Sequence, residues 1–243
     1  MSSEDLGDLA NYHTLDERGV PDVVVELAEG RSFELMWRNE IGGLTFEAED
    51  VYIKWNPRSS GVDLIRERDR LEWLSPRHPA PSVVSFGSDD DAEWLVTKTL
   101  PGGHAVGDEW RARRSEAIAA IAKGLRVLHA VPIDDLPQDW VVDSWVTKEP
   151  QSLGERPDID GPVLVHGDAC APNTLISEQG EWTGNVDFGD LSAGDRWADL
   201  AIASLSLDWN FGEGHQAEFF EAYGVDPDDR RIAYYRDLWH LEA

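Results

Sequence analysis

Side chains suited to phosphoryl transfer follow short apolar runs in the second half of the chain. A Val-Leu-Val run leads into His166-Gly167-Asp168, Asn173 follows five residues after Asp168, and Asp187 begins the Asp-Phe-Gly triplet fourteen residues later. Carboxylate and amide oxygens suit Mg²⁺, which binds one or two carboxylates together with substrate phosphates. Asp168 would then orient a hydroxyl and accept its proton. Each motif alone is compatible with a simple turn or strand end, but the ordered set predicts ATP- and Mg²⁺-dependent phosphoryl transfer.

The composition is that of a globular protein with a strongly acidic surface. Hydrophobic residues make up 41% of the 243 residues, which is enough for a core. The 21 basic and 48 acidic residues leave a net charge of −27. Such a charge repels phosphate backbones, so no nucleic-acid partner is expected. The acidity has two open interpretations: it attracts a polycationic substrate, or it is a generic solvating surface.

Three further features bear on where the protein acts. No apolar stretch approaches the 18 residues of a membrane span, so no membrane partner is expected. The acidic N-terminus lacks the basic-then-apolar pattern of a secretory signal. Cys170 is the single cysteine, which excludes an internal disulfide and a multi-cysteine metal site. These features predict a cytoplasmic protein, which we expect to be a monomer or weak dimer.

The pattern of apolar residues divides the chain into two regions. Residues 22–100 read mainly as strands, with turn residues between them. One helix interrupts this region, and the pair Ser59-Ser60 is suited to cap it. The predicted strands are 21–27, 32–37, 44–48, 51–55, 82–86 and 93–99, and the predicted helix is 61–74.

Helices dominate from Gly102 onward, with a few short strands among them. The predicted helices are 108–130, 195–206, 214–223 and 228–241, and the predicted strands are 162–165, 174–176 and 182–186. We therefore expect an α+β fold with a β-rich N-terminal lobe, 1–100, an α-rich C-terminal lobe, 101–243, and a cleft between them.

The N-terminal lobe offers an independent test of this interpretation. A nucleotide site of this kind needs a strand lysine that reaches the phosphates and a helix acid that holds it. Lys54 lies on the predicted strand 51–55, and Glu67 falls within the apolar seam of the next helix. A carboxylate that faces a core is costly unless it is paired. We favour a Lys54–Glu67 ion pair, and the alternative is a solvated Glu67 that pairs with Arg70.

The chain resembles the aminoglycoside phosphotransferases, in particular their 3′-phosphotransferase branch. The resemblance runs from about residue 30 to the C-terminus. It is carried by the segments VYIKW, RERDRLEWL, WLVTKTLPGG, LRVLHAVPIDDLP, VHGDACAPNTLI and GNVDFGDLSAGDRWADLAIA. It implies a protein-kinase-like fold and transfer of the γ-phosphoryl group of ATP to an aminoglycoside hydroxyl, which would make this an antibiotic-resistance enzyme.

The resemblance also implies roles for individual residues. Asp168 would be the catalytic base, and Asn173 and Asp187 would hold Mg²⁺. Lys54 would contact the α- and β-phosphates while paired with Glu67.

Other residues would bind the nucleotide base or support the loops. The backbone at Lys98 and Leu100 would bind adenine, with Thr97 behind it, and the Gly42-Gly43 loop would cover the phosphates. The residues that would support the loop and helix geometry are His166, Asp195 and Asp199.

Three features depart from the pattern of aminoglycoside enzymes and concern the acceptor. Aminoglycoside enzymes usually carry a long helical insertion before the strand that leads to the His-Gly-Asp motif. Here the segment before strand 162–165, residues 138–161, has room for only one short helix, near 141–148. Asp190 follows the Asp-Phe-Gly triplet, where a basic residue is common, and would hold an acceptor amine. The last residues are Trp239-His240-Leu241-Glu242-Ala243, where aminoglycoside enzymes often have an acidic pair, and Trp209 and Trp239 are candidates to line the acceptor pocket.

We therefore expect a small, cationic acceptor, with an aminoglycoside as the first candidate. A kinase of another small hydroxyl metabolite or antibiotic is one alternative. A catalytically silent nucleotide-binding module is the other.

Overall fold

A computed structural model describes residues 19–242. The described residues form two compact units, one of residues 19–72 together with Pro81–Thr99, and one of Trp73–Ala80 together with residues 100–242. The sequence predicted a boundary between residues 100 and 101. The division in the structure differs in that residue 100 and segment 73–80 belong to the second unit. Among residues 19–242, no helix is long and apolar enough to cross a membrane.

The first unit is built on an antiparallel sheet with strand order β1-β2-β3-β5-β4. Its elements in chain order are α1 (Asp22–Leu27), β1 (Glu34–Arg38), β2 (Leu44–Ala48), β3 (Val51–Pro57), α2 (Leu64–Leu74, whose last two residues lie in the second unit), β4 (Val83–Ser88) and β5 (Ala92–Lys98). The central strand β3 alternates as its sequence predicts, with Val51 and Ile53 buried and Tyr52 and Lys54 partly exposed.

Segment 21–27 is a helix, and the prediction of a strand there is wrong. Pro21 precedes the first helical residue with φ −60° and ψ 137°, an extended conformation that suits a helix start. Val24 and Ala28 lie one helical turn apart and are 0% and 1% exposed against the sheet. Burial of this i, i+4 pair outweighs the strand preference of the three consecutive valines.

The helix α2 begins later than predicted. Residues Arg58–Ser60 form a separate 3₁₀ turn, and Gly61 follows it with φ +73°. The Asp63 carboxylate accepts a hydrogen bond from Ile65 N at 2.8 Å, so Asp63 caps the helix in place of the predicted serine pair.

The second unit is mainly helical and contains two small antiparallel sheets. Its elements are β6 (Gly103–His104), α3 (Asp108–Ala112), α4 (Arg114–Leu128), α5 (Gln138–Val142), β7 (Val163–Val165), β8 (Thr174–Ile176), β9 (Trp182–Asn185), β10 (Ser192–Gly194), α6 (Trp197–Phe211), α7 (Gln216–Tyr223) and α8 (Asp229–Glu242). One sheet pairs β10 with β7, and the other has the order β6-β8-β9.

The core of the second unit follows the predicted apolar stripe. Ile118, Ile121, Leu125 and Leu128 of α4 are at most 2% exposed. The predicted helix 108–130 is nevertheless two helices, because Arg113 adopts φ −114° and ψ 33° between α3 and α4. The sequence interpretation also missed the short strands β6 and β10. These differences leave the predicted α+β class intact, and that prediction is confirmed.

The segment before β7 contains less α-helix than predicted, and its helix begins and ends earlier in the chain. The helix expected near 141–148 is α5, which ends at Val142, followed by a 3₁₀ turn at Trp145–Thr147. The Trp145 indole N–H donates to the Gly167 carbonyl at 2.8 Å, which ties this turn to the loop after β7.

Candidate active site

The loop after β7 is held by one buried carboxylate. Asp199 of α6 accepts hydrogen bonds from His166 N at 2.7 Å and from Gly167 N at 3.0 Å. Burial alone would raise the pKa of Asp199, but hydrogen bonding to His129 at 2.9 Å and the amides of the loop bring the net pKa below its ordinary value. Asp199 is therefore an anionic anchor that fixes the backbone just before Asp168.

The bend at Gly167 admits only glycine. Its φ is +84°, and a Cβ there would lie 2.3 Å from the carbonyl oxygen of Asp190. Glycine has no Cβ and visits positive φ freely, so it permits this close approach. The contact places the backbone of Asp190 directly beside the loop that carries Asp168.

Asp168 and Asn173 form a hydrogen-bonded pair. Asn173 Nδ2 donates to the Asp168 carbonyl and to Asp168 Oδ2, both at 3.0 Å. Within the described residues, Asp168 Oδ1 is buried and has no hydrogen-bond partner. Burial and the negative charge of Asp187 raise the pKa of Asp168. Asn173 and the Cys170 thiol both hydrogen-bond to this carboxylate, and Oδ1 retains the capacity to accept a further hydrogen bond.

The segment that carries Asp187 is fixed through its backbone. Val186 N donates to the Asn173 carbonyl at 3.0 Å, and His166 Nε2 lies 3.0 Å from the Val186 carbonyl. A carbonyl only accepts, so His166 carries its proton on Nε2. Asp187 itself has φ +67°, a conformation that costs free energy and persists only when its surroundings impose it. Phe188 is completely buried, and its ring lies 4.5 Å from that of His166.

The oxygen atoms around Asp168 fit a Mg²⁺ ion. In residues 19–242 no group of three or more His, Cys, Asp or Glu side chains could hold a metal by itself. Mg²⁺ does not need such a group, because it takes one or two protein carboxylates and completes its shell with phosphates and water. The Asn173 bonds to Asp168 come from Nδ2, so they leave the amide oxygen for a metal, and the charge of Asp187 acts on Asp168.

The first unit contains the ion pair that the sequence favoured. Lys54 Nζ donates to the two carboxylate oxygens of Glu67 at 2.6 and 2.9 Å. Glu67 is 5% exposed, so α2 presents it to the interior. Lys54 lies in the middle of β3, paired with Thr45 of β2 and Leu95 of β5. The lysine is therefore fixed by a strand and a helix, although its role toward a nucleotide stays a prediction.

The other predicted nucleotide contacts lie near the end of β5 and in the turn between β1 and β2. Thr97 is buried and pairs with Tyr52, and Lys98 N donates to the Ser82 carbonyl at 2.9 Å. Leu100 is the first residue of the longer segment of the second unit. In the turn, the Asn39 side chain accepts from Gly43 N at 2.5 Å. The contacts of these residues with a nucleotide stay predictions.

Two of the predicted acceptor residues, Trp239 and Glu242, lie on α8, and the third, Asp190, lies beside Gly167. Trp239 of α8 packs on Trp209 of α6 with ring centroids 6.1 Å apart, and Glu242 is exposed at the end of α8. Ser206, one turn before Trp209, accepts a hydrogen bond from Ala171 N at 2.9 Å. The tryptophan pair thus adjoins the helix turn that binds the loop after Asp168, while acceptor contacts of Asp190, Trp239 and Glu242 stay predictions.

Sequence reasoning missed three residues that support the site. His129 bridges the Asp199 carboxylate and the Tyr223 hydroxyl, at 2.9 and 2.7 Å. His78 and Asn185 lie 3.2 Å apart in the interior, although 107 positions separate them. Neither contact has a local motif, since 70 positions separate His129 from Asp199 and 107 separate His78 from Asn185. His129 offered the one available signal, a histidine at the end of the apolar stripe of α4.

Comparison with known proteins gives a consistent result. The sequence model of the phosphotransferase enzyme family matches residues 23–161 and 153–235. An aminoglycoside 3′-phosphotransferase of Streptomyces fradiae is 34% identical over 78% of this chain and 84% of its own length. The streptomycin 3″-kinase of Streptomyces griseus is 31% identical over 82% and 88%. The crystal structure of a type VIII aminoglycoside 3′-phosphotransferase is similar in fold, with TM-score 0.71, 25% identity, and coverage of 90% of this chain and 98% of that one.

Proposed function

Because this chain belongs to the phosphotransferase enzyme family, we propose that it transfers the γ-phosphoryl group of ATP to a hydroxyl of an aminoglycoside. Family membership confirms the resemblance drawn from the motifs and, with the structural likeness, the kinase-like fold. The acceptor class is supported by the names of the relatives, which include 3′-phosphotransferases and a streptomycin 3″-kinase.

The observation that carries the proposal is the state of Asp168. Asp168 is half-buried, with Oδ2 bound to Asn173 and the buried Oδ1 without a partner in the described part of the chain. A hydroxyl that donates to Oδ1 would be oriented for attack, and Asp168 would take its proton as the new P–O bond forms and the bond from the γ-phosphorus to the leaving ADP oxygen breaks. Asp199 and Trp145 hold the backbone of this loop through Gly167, so the base is preorganised.

The remaining residues would bind the phosphates. Bound Mg²⁺ would offset the charge that develops on the transferred group. Asn173 and Asp187 would hold the ion, because their side-chain oxygen atoms are ligands that Mg²⁺ prefers and their backbones are fixed. Lys54, kept in place by Glu67, would contact the α- and β-phosphates, and the backbone at Lys98 and Leu100 would bind adenine.

The acceptor would be cationic. A polyamine is complementary to a chain of net charge −27, and electrostatic attraction raises association rates. We propose that the protein works in the cytoplasm as a monomer or weak dimer, without a nucleic-acid or membrane partner. Size-exclusion chromatography with light scattering tests the oligomeric state.

Two measurements test the function. The first is ATP consumption with Mg²⁺ and a panel of 3′-hydroxyl aminoglycosides, streptomycin, other hydroxyl antibiotics and small amino alcohols. The second is the growth of a sensitive bacterium that expresses the chain on the same antibiotics. We expect an aminoglycoside to stimulate ATP turnover and to lose its toxicity. Nucleotide binding without turnover on any acceptor would instead favour the silent binding module.

A further inference from the structure

A buried amide joins the two segments that carry Asn173 and Asp187. Asn185, at the end of β9, is 2% exposed, and four polar atoms lie within reach of its side chain. Its Oδ1 accepts from Trp182 Nε1 at 3.1 Å and lies 3.2 Å from His78 Nε2. Its Nδ2 donates to Thr174 Oγ1 at 3.2 Å and to the Asn173 carbonyl at 3.4 Å. Both donors and both acceptor positions of the amide are thus used.

This arrangement determines the protonation of His78. An indole N–H only donates, so the Asn185 atom that faces Trp182 must be the carbonyl oxygen. His78 Nε2 faces the same oxygen and must therefore donate, which puts the proton of the neutral ring on Nε2. Nδ1 is buried without a hydrogen-bond partner in residues 19–242. The neutral ring agrees with burial, which lowers the pKa of His78 to about 4.

The neighbouring helix makes room for this network. Gly124 lies inside α4, and a Cβ there would be 2.6 Å from Trp182 Nε1 and 3.1 Å from Asn185 Oδ1. Glycine is unfavourable in the interior of a helix, so its place here is explained by the close approach of the indole and the amide. The rings of Trp182 and Phe188 lie 5.4 and 6.0 Å from that of His78, so the imidazole is confined on two sides.

We propose that His78 and Asn185 are positioning residues for the predicted metal ligands Asn173 and Asp187. The Asn173 carbonyl accepts from Val186 N at 3.0 Å and from Asn185 Nδ2 at 3.4 Å, so the strand that leads into Asp187 is tied twice to the backbone of Asn173. Trp182 and His78 both donate to Oδ1 and together hold the orientation of the Asn185 amide. This inference rests on the proposed function and adds the residues that align its metal site.

If His78 and Asn185 served only to fill the interior, polar side chains would not be needed at these two positions. An apolar side chain of similar volume would fill the position of Asn185 without the cost of burying polar groups. The Asn185 amide, with all its hydrogen-bonding positions used, instead fixes one geometry, and Asp187 needs such support because its φ is +67°. Residues that orient metal ligands from behind typically contribute about 10- to 100-fold in metal affinity or activity.

The test compares His78→Leu, which removes the donor, with His78→Gln, whose amide keeps one, and with Asn185→Leu. ADP binding is measured by titration calorimetry without Mg²⁺ and across a Mg²⁺ series, and kcat and KM for ATP and acceptor are measured separately. For His78→Leu and Asn185→Leu we expect the half-saturating Mg²⁺ concentration to rise about tenfold and kcat to fall about tenfold. The affinity for metal-free ADP and the KM for acceptor should stay within about twofold, and His78→Gln should recover most of the loss.

Phe219→Leu is the matched control for stability, because it shortens a completely buried side chain of α7. We expect it to lower the melting temperature without changing the Mg²⁺ dependence.

Unchanged Mg²⁺ dependence and kcat in His78→Leu and Asn185→Leu would overturn the inference. The inference would also be overturned if the losses of Mg²⁺ affinity and of kcat were equal in the Leu and Gln variants and proportional to the fall in melting temperature. Mg²⁺-dependent ADP binding that responds as expected, in a protein that phosphorylates no acceptor, would overturn the proposed function alone. Absence of Mg²⁺-dependent binding in the unaltered protein would overturn both.

Discussion

Lys54 and Glu67 form a two-point ion pair, with the lysine Nζ 2.6 and 2.9 Å from the two carboxylate oxygens. Glu67 lies in the interior, whereas the Lys54 side chain keeps 24% of its surface exposed. The acid is thus the fixed partner, and the lysine is the group that can turn toward a ligand.

The variant Glu67→Gln should weaken the use of ATP more than it weakens folding. A hydrogen bond to a charged group contributes about 1.5–3 kcal/mol, so loss of the carboxylate should lower kcat/KM for ATP by about tenfold or more. Glu72→Gln is the control, because Glu72 is an exposed acid on the same helix. Wild-type kinetics of Glu67→Gln at both limiting and saturating ATP would remove the pair from the mechanism.

The variant Asp168→Ala should abolish transfer and leave the affinity for nucleotide nearly unchanged. General-base catalysis contributes about 10²- to 10⁴-fold, and Asp168 supplies the buried carboxylate oxygen that has no partner in residues 19–242. Turnover and ADP binding are measured on the same preparation. Asp158→Ala, which removes an exposed aspartate, should match the wild type. Near-normal turnover of Asp168→Ala would exclude it as the base.

The variant Gly167→Ala should destabilise the fold and disturb the loop that carries Asp168. The added Cβ would meet the Asp190 carbonyl at 2.3 Å, at φ +84°. Strain of this kind costs about 1–3 kcal/mol before the clash is added. Urea unfolding measures the loss, and Gly103→Ala is the control because a Cβ there meets nothing within 4 Å. Equal midpoints for the two variants would contradict the prediction.

The pH dependence of stability should carry the signature of His78. Burial lowers its pKa to about 4 from an ordinary value of 6.5 in the unfolded chain. Between these values the unfolded state binds more protons at His78, so the contribution of His78 to the free energy of unfolding rises with pH from about 4 to 6.5 and is level above. The pKa difference corresponds to a change on the order of 3 kcal/mol across that window.

The measurement is chemical denaturation at several pH values for the wild type and His78→Gln. The glutamine does not titrate, so the stability difference between the two proteins should shift in favour of the variant as pH falls from 6.5 to 4. A difference that is constant over this range would show that His78 is not held neutral in the folded protein.

Much of the fold could be predicted because its signals are local. The alternation of β3, the apolar stripe of α4 and the turn residues between strands each act within a few positions, so the α+β class followed from them. The failures lay where tertiary contacts prevailed. Helix α1 forms from a run of valines because Val24 and Ala28 are buried together, and the helix predicted at 108–130 breaks at Arg113.

The candidate site shows the same division. The order and spacing of Asp168, Asn173 and Asp187 are properties of the sequence, as is the pairing of strand and helix that suggested Lys54 with Glu67. Those features were sufficient to predict phosphoryl transfer. The geometry of these residues depends on partners that no spacing rule connects.

Only the tertiary structure decided which side chains hold the site in place. His129 binds the Asp199 carboxylate across 70 positions, and His78 contacts the Asn185 amide across 107 positions. Buried polar groups need hydrogen-bond partners, but any donor at the correct place in space satisfies them, wherever it lies in the chain. The sequence by itself therefore determined the chemistry of this protein, and the packing of distant segments determined how that chemistry is aligned.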